Sequence, residues 1–289
     1  MNEHSSKELL THFQEYLIRQ GMSPATVKNY LADINAFAQW YRLKIKDDTL
    51  LLSFSALDLR AFCSEMSSNG LSPNSVNRRL QALRKFGQFA LESGLRDHNP
   101  AHDVARLRSG QRKPPRILTN AQADDLLETV LAKAKASQAK RDYAIIITLL
   151  TCGIRLRELV DLRLEDVELK LDEGYLMIGP SAAEGGRVIP FGMAPTAALK
   201  DYLRARPNVP GENHLFLNRE GRSISPRTVQ RLITRYVQAS GLKDVSAQTL
   251  RTTFAHAMLK GIKDIETVSK LLGHSSTATT IRYFEHSHS

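Results

Sequence analysis

Two Ser-Pro dipeptides restrict the fold of the N-terminal third of the chain. Ser23 and Ser72 are each followed by a proline, and serine as cap with proline as first residue is typical of a helix start. After both dipeptides, and in two further runs that begin at Leu9 and Leu57, apolar residues recur at helical spacing. Four amphipathic helices in about 100 residues predict a compact all-α bundle whose aromatic side chains form the core.

The C-terminal part has a mixed pattern. Short apolar runs at Tyr175–Ile178 and Arg187–Pro190 predict two strands, and the Gly-rich segment 179–186 between them predicts a hairpin loop. Helices are predicted at 119–136, 140–151, 195–205, 225–239, 247–260 and 264–272. A chain of 289 residues is long enough for two domains. We therefore expect an all-α N-terminal domain and a mainly α domain with a small β-sheet (α+β).

A basic segment separates the two patterns. Between Arg106 and Arg116 the chain has Ser109-Gly110 and Pro114-Pro115, which break helices, and no acidic residue. We predict domains at 1–105 and 118–289, joined by a linker at 106–117. Eleven extended residues span roughly 35 Å, enough to pass beside a DNA duplex; a solvated linker with incidental charge is the alternative. Its basic residues are Arg106, Arg108, Arg112, Lys113 and Arg116.

The charge balance indicates a polyanionic partner. The formal net charge is +10 and the isoelectric point is about 9.7, which favours nucleic acid, although many basic proteins bind none. On the N-terminal helices, Lys28, Arg78, Arg79 and Lys85 fall on faces that can meet phosphate, and we expect Arg187 of the second predicted strand to contact DNA as well.

Other classes of protein are disfavoured. No run of about 18 apolar residues predicts a transmembrane helix, and residues 1–8 lack the apolar core of a signal peptide. Two cysteines, Cys63 and Cys152, make neither a disulfide framework nor a paired metal motif. We expect a cytoplasmic, nucleoid-associated protein without a metal or other cofactor.

Three segments carry the chemistry. They are Thr151–Leu159, Gln248–Ala255 and Leu271–Tyr283. Each alone is a weak signal, because a Thr-x-Gly-x-Arg turn can simply cap a helix and Leu-Gly-His can be a helix end. Their order and spacing are more specific: Arg251 precedes His274 by 23 positions, and His274 precedes Tyr283 by nine.

In these segments the chain resembles the tyrosine recombinase (phage integrase) family, in particular its Xer-like and mobile-element members, over essentially its whole length. The resemblance implies that Arg155 and Arg251 are the catalytic arginines, His274 the later histidine and Tyr283 the nucleophile. It also implies an N-terminal SAM-like core-binding domain of four helices, a C-shaped clamp of two domains on duplex DNA, and a homotetramer on two specific recombination sites, with an accessory DNA-bending protein as a further partner.

The residue types fit that chemistry independently. A tyrosine oxygen can attack a phosphodiester, release a 5′-hydroxyl and conserve the bond as a 3′-phosphotyrosine without a nucleotide cofactor or metal. Two guanidinium groups stay charged and can bind the phosphate oxygens bidentately. Glu158 lies three residues after Arg155, so on a helix it can orient that arginine.

Two positions depart from the family pattern. Gln248 stands where the family usually has histidine, and glutamine can hydrogen-bond a phosphate but cannot transfer a proton. Between Lys170 and Lys200 there is no lysine, whereas the family places a general acid lysine in this hairpin. Arg187 is a poor proton donor. Three explanations stay open: replacement of a lysine by alanine at 182 or 183, substitution by a lysine or water from elsewhere, or a slow or inactive protein.

The chain ends six residues after Tyr283, so we expect the helix that follows the tyrosine in the family, and docks on a neighbouring protomer, to be missing or truncated. Two alternative functions remain. One is a type IB topoisomerase-like relaxer of DNA, and the other is a DNA-binding accessory protein with weakened or lost catalysis.

Overall fold

The computed structural model describes residues 6–45, 51–108, 110, 115–179, 186–262, 264–274, 276–277 and 280–281. By its internal contacts the chain divides into two compact units, Met1–Arg112 and Lys113–Ser289. Each unit has its own hydrophobic core and is described by itself.

The N-terminal unit is built from helices, and the predicted four-helix architecture is confirmed. Its core contains Phe13, Phe37 and Phe86, all fully buried, with Phe13 and Phe86 in edge-to-face contact at a centroid distance of 5.2 Å. The helices are α1 (Ser6–Arg19), α2 (Pro24–Ile45), α3 (Ala56–Ser68) and α4 (Pro73–Glu92).

Local capping explains where these helices begin. The Ser72 hydroxyl accepts a hydrogen bond from the backbone N–H of Ser75, and Pro73 occupies the first turn of α4, as the sequence predicted. Ser23 accepts from the N–H of Thr26 in the same way at the start of α2. These bonds satisfy backbone donors that have no partner within the helix.

The C-terminal unit surrounds a three-stranded antiparallel sheet with helices. The strands follow the order β1 (Val167–Leu169), β2 (Gly174–Ile178), β3 (Arg187–Phe191), with Leu176 opposite Ile189. Pro190 is tolerated because β3 is an edge strand of this sheet. The helices are α5 (Asn120–Lys133), α6 (Ala136–Cys152), α7 (Leu156–Asp161), α8 (Met193–Ala205), α9 (Pro226–Ala239), α10 (Ala247–Ile262) and α11 (Ile265–Leu272).

Some predicted element boundaries were wrong. The helix predicted at 119–136 ends at Lys133, and the next helix begins already at Ala136 rather than at 140. Neither α7 nor β1 was predicted, because their six and three residues are too short to show a hydrophobic period. Of the predicted hairpin loop, residues 180–185 lie outside the described residues.

Two packing features position the functional residues. In one, Val268 and Leu272 of α11 are fully buried in a cluster with Phe254 and Leu259 of α10, which holds the end of α11 against α10. In the other, the amide of Asn77 on α4 donates to the carbonyl of Leu107 at 2.8 Å and accepts from its N–H at 2.9 Å. The first residues of the predicted linker are thereby fixed to the N-terminal unit. None of the described helices is long and apolar enough to cross a membrane.

Candidate active site

The C-terminal end of α11 gathers three arginine side chains. Its last carbonyls, those of Leu271, Leu272 and the following Gly273, each accept a hydrogen bond from a different arginine. Nε of Arg187 donates to Leu271 O at 2.7 Å. Nη2 of Arg251 donates to Leu272 O, and Nη2 of Arg155 donates to Gly273 O, both at 2.6 Å.

This arrangement follows from helix physics. The last carbonyls of a helix have no partner within it, and the partial negative charge at a helix C-terminus favours cations. Gly273 ends α11 in the left-handed conformation, with φ at +63°. A Cβ atom at this position would lie 2.7 Å from Nη1 of Arg187, so glycine lets the arginine lie directly against the backbone.

A second turn fixes Arg155. Gly153 ends α6 with φ at +59°, and Arg155 then stands at the N-cap position of α7. A Cβ at Gly153 would lie 2.1 Å from Cδ1 of Phe254, so no other residue fits without movement of that ring. The carbonyl of Gly153 accepts from Nη1 of Arg251 at 2.7 Å. The Thr-x-Gly-x-Arg segment therefore caps a helix and holds a second arginine at the same time.

Glu158 is the shared counterion of these arginines. Its carboxylate accepts from the N–H of Arg155 at 2.6 Å, from Nη1 of Arg155 at 2.8 Å, and from Nη1 and Nη2 of Arg187 at 3.1 and 2.7 Å. Nη1 of Arg251 lies 3.9 Å away. Burial opposes ionisation of the carboxyl, but the hydrogen bonds from Arg187 and Arg155 outweigh it and lower its pKa to about 2.

The three arginines differ in accessibility. The side chain of Arg251 is 3% exposed and that of Arg187 is 16% exposed, whereas that of Arg155 is 45% exposed. All three donor nitrogens of Arg187 bond to protein acceptors, so this residue orients its neighbours. Within the described residues, Arg155 donates hydrogen bonds from two of its five side-chain N–H groups, and as the most exposed of the three it is the arginine most open to a phosphate.

His274 lies immediately after this cluster. Its Nδ1 is 2.8 Å from the hydroxyl of Thr280, a fully buried residue. Burial, followed by the charges of Arg251, Arg155 and Arg187, lowers the pKa of His274 to about 4. The imidazole is therefore neutral near pH 7, and Nε2 can act as a hydrogen-bond partner whose role is set by the bond at Nδ1.

Three of the five predicted catalytic residues lie in this cluster. The structure brings Arg155, Arg251 and His274 together, and Glu158 forms an i, i+3 ion pair with Arg155. Gln248 is an exposed residue in the first turn of α10, three residues before Arg251. Tyr283 lies outside the described residues.

The predicted DNA-contact residues are spread over both units. Lys28 and Arg108 are exposed, and Nζ of Lys85 lies 5.2 Å from the ring centre of Tyr16. Arg106 is exposed and donates to Gln81 at 2.7 Å. Arg78 and Arg79 both lie beside Asp33, and Arg187 belongs to the arginine cluster at the end of α11. The buried Nε of Arg116 has no hydrogen-bond partner among the described residues. Arg112 and Lys113 lie outside the described residues.

Two residues that hold predicted functional residues in place were not themselves predicted: Thr280, which contacts His274, and Asp33, which pairs with Arg78. Thr280 gave no signal beyond its position three residues before Tyr283. Asp33 did give one, because it interrupts the apolar face of α2 formed by Tyr30, Ile34 and Phe37. A buried acid on such a face requires a cationic partner.

Comparison with known proteins gives matches over both units of the chain. Residues 116–289 match the model of the phage integrase family, and residues 10–94 match the phage integrase N-terminal SAM-like domain. The chain is 32% identical to tyrosine recombinase XerC of Shewanella amazonensis over 95% of this chain and 90% of the relative. It is 30% identical to tyrosine recombinase XerD of Corynebacterium glutamicum over 96% and 92%.

Solved structures have the same fold at lower identity. A XerH site-specific recombinase bound to a palindromic difH substrate matches with a TM-score of 0.74 at 18% identity, over 99% of this chain and 95% of that one. A lambda integrase dimer bound to a COC′ core site matches with a TM-score of 0.74 at 18% identity, over 100% and 79%.

These matches define the class. The chain belongs to the phage integrase family, with a SAM-like N-terminal domain and an integrase catalytic domain. Within that family, the relatives named above are Xer tyrosine recombinases.

Proposed function

We propose that this protein is a site-specific DNA recombinase that cleaves and rejoins strands through a 3′-phosphotyrosine at Tyr283. The observation that carries the proposal is the set of three arginines on consecutive carbonyls at the end of α11, next to a neutral His274. Such a cluster suits one phosphate group, and the chain reaches the tyrosine only nine residues further on.

The reaction proceeds without net loss of a phosphoester bond. The Tyr283 oxygen attacks the scissile phosphorus and gives up its proton, while the bond to the 5′-oxygen breaks and that oxygen leaves as a 5′-hydroxyl. A 5′-hydroxyl from another strand then attacks the phosphotyrosine and releases the tyrosine. Arg155 and Arg251 stabilise the charge that develops on the non-bridging oxygens, and loss of such a group costs about 3–4 kcal/mol in comparable sites.

His274 contributes as a neutral group. With a pKa of about 4 in the unbound protein, it remains uncharged near neutral pH and can hydrogen-bond a phosphate oxygen or accept a proton. Gln248, in place of the family's histidine, positions the phosphate without transferring a proton. Protonation of the leaving 5′-oxygen is not explained by these residues, because guanidinium groups are poor acids.

The partners follow from this reaction. We propose that the two domains clamp duplex DNA in a C shape, that basic residues of both domains and the linker contact its phosphates, and that a homotetramer joins two specific sites, assisted by a DNA-bending protein. We also propose that the protein acts in the cytoplasm, on the DNA of the nucleoid. DNA as the partner is supported by the structural neighbours: XerH was solved bound to a difH substrate, and lambda integrase was solved bound to a COC′ core site.

A nicked suicide substrate tests the proposal. The duplex carries the sequence that the full chain selects from a random pool, with a nick that lets the short 5′-hydroxyl fragment diffuse away. We expect a covalent protein–DNA adduct, and Tyr283→Phe should abolish it. Tyr175→Phe is the matched control, since Tyr175 lies on β2 with its hydroxyl 3.0 Å from Glu173. An adduct that persists in Tyr283→Phe would refute the assignment.

The absence of a hairpin lysine favours a second candidate, an accessory DNA-binding protein with weakened catalysis. Ala182→Lys and Ala183→Lys separate the two. We expect either lysine variant to increase the rate of adduct formation. Equal adduct yields from the lysine variants and the unmodified chain would show that the missing lysine does not impair cleavage. If none of these proteins forms an adduct, only the DNA-binding function remains. Strand exchange that requires two sites excludes a simple DNA relaxer.

A further inference from the structure

A buried carboxylate lies between two helices of the N-terminal unit. Asp33 on α2 has a side chain only 5% exposed and accepts hydrogen bonds from Nη1 and Nη2 of Arg78 on α4, the latter at 2.9 Å. Nε of Arg79 lies 3.6 Å from the same carboxylate. Burial of this acid is tolerated because it is paired with a cation.

A structural link between α2 and α4 does not explain why the Arg78 side chain stays accessible. The Arg78 side chain remains 49% exposed, and its Nε has no hydrogen-bond partner among the described residues. The carboxylate takes one edge of the guanidinium plane and leaves the Nε edge for another acceptor. Asp33 therefore fixes the plane and direction of an arginine that still has donors to offer.

The surface around Arg78 suits DNA. Lys85 lies seven residues further along α4, on the same face, and no acidic residue occurs in α4 before Glu92. Gln81, also on this face, holds exposed Arg106 at 2.7 Å. The hydrogen bonds between Asn77 and Leu107 fix the start of the basic segment, at Arg106 and Leu107, beside α4.

The ion pair with Asp33 cancels the charge of Arg78 but fixes the orientation of its guanidinium group. A phosphate contact needs mainly positive charge, which a neighbouring carboxylate cancels. Reading a base needs a guanidinium fork held at a fixed angle, and the favoured partner of such a fork is guanine, through O6 and N7 in the major groove. An arginine that is oriented by a buried acid and half exposed on a basic face matches the second requirement.

We propose that Asp33 is a positioning residue that presents Arg78 to a guanine base, so that this pair determines part of the DNA sequence preference. This inference rests on the proposed function, because it assumes that the chain binds specific DNA. Lys85, whose Nζ lies 5.2 Å from the ring centre of Tyr16 and whose charge lowers the pKa of Glu92, is not held by a buried carboxylate as Arg78 is; it then acts on phosphate and carries no sequence information.

Selection from a randomised duplex pool tests the pair. The full chain is compared with Arg78→Lys, Asp33→Asn and the control Lys85→Ala, and the folding of each is checked by thermal melting. Arg78→Lys keeps the charge and can still pair with Asp33 but lacks the planar fork, so it tests the inference even if Asp33→Asn fails to fold.

The unmodified chain should select a G·C pair at one position of its site. Arg78→Lys and Asp33→Asn should reduce discrimination at that position by about 5- to 150-fold and leave other positions unchanged. Lys85→Ala should weaken binding equally for all sequences and reduce its salt dependence.

Two results would overturn the inference. If Arg78→Lys and Asp33→Asn weaken all sequences equally, Arg78 contacts phosphate. If both variants keep the same selected sequence and affinity, the pair only links α2 to α4. If the unmodified chain selects no sequence at all, the proposed function itself fails, which is distinguishable from a selected site that ignores these two changes.

Discussion

Glu158→Gln removes the charge that the three site arginines share and keeps the shape of the side chain. The carboxylate accepts four hydrogen bonds of 2.6 to 3.1 Å, and its pKa falls from 4.5 to about 2. That difference corresponds to about 3 kcal/mol of stabilisation. Because the site opens to solvent beside Arg155, screening reduces the figure to about 2 kcal/mol.

The expected effect is measurable by calorimetry. For a unit of this size, about 2 kcal/mol corresponds to a decrease in Tm of about 4–8 °C at pH 7. A carboxyl with a lowered pKa stabilises the fold above its unfolded-state pKa of about 4.5, and this contribution is lost as the pH falls towards 2. The difference in Tm between the unmodified chain and Glu158→Gln should therefore shrink between pH 4.5 and pH 2.

A matched control is available in the same unit. Glu165 has a side chain 73% exposed and lies 3.8 Å from Arg163, so Glu165→Gln should leave Tm nearly unchanged. A Tm decrease in Glu158→Gln that is equally large at pH 7 and pH 3 would show that packing rather than charge is responsible. Absence of any decrease at pH 7 would refute the role of Glu158 as counterion.

Two further predictions concern the same site. Gly153→Ala places alanine in a left-handed conformation, with its Cβ 2.1 Å from the ring of Phe254. We expect urea titration to show an unfolding free energy lower by about 2–4 kcal/mol. The control Gly192→Ala has open space around it and should leave the unfolding free energy nearly unchanged. His274 should titrate near pH 4 by NMR in the unbound protein, and Arg155→Ala should raise its pKa because one repelling charge is removed; a pKa near 6.5 in the unmodified chain would contradict the site geometry.

The sequence predicted the helices of the N-terminal unit well, because the helical period is long and each Ser-Pro start is a local signal. The family resemblance also predicted that Arg155, Arg251 and His274 lie in one site. Local patterns could not predict this, because the three residues are far apart in the chain. Short elements were missed, because α7 and β1 have too few residues to show a period.

Long-range pairings were beyond sequence reasoning. Arg187 was expected on DNA, but β3 returns to α7 and places this arginine on Glu158, 29 residues earlier in the chain. Neither residue carries a local signal for the other. Asp33 did carry a partial signal, as an acid on an apolar helix face, but its partner Arg78 is 45 residues away and only the packing of α2 against α4 identifies it.

The charges of the described site match a transition state better than a substrate. Three guanidinium groups and one carboxylate, with neutral His274, leave two positive charges, whereas a phosphodiester carries one negative charge and gains more during attack. Binding that strengthens as charge develops favours the chemical step.

This charge does nothing for the departing 5′-oxygen, which needs a proton. A substrate with sulfur in place of that oxygen has a leaving group of much lower pKa and needs no acid. With the oxygen substrate, Ala183→Lys should form adduct faster than the unmodified chain. With the sulfur substrate the two should react at the same rate, because the arginines alone then suffice. If the unmodified chain stays slow with sulfur while Ala183→Lys is fast, the lysine acts through phosphate binding, and the missing proton is not the cause.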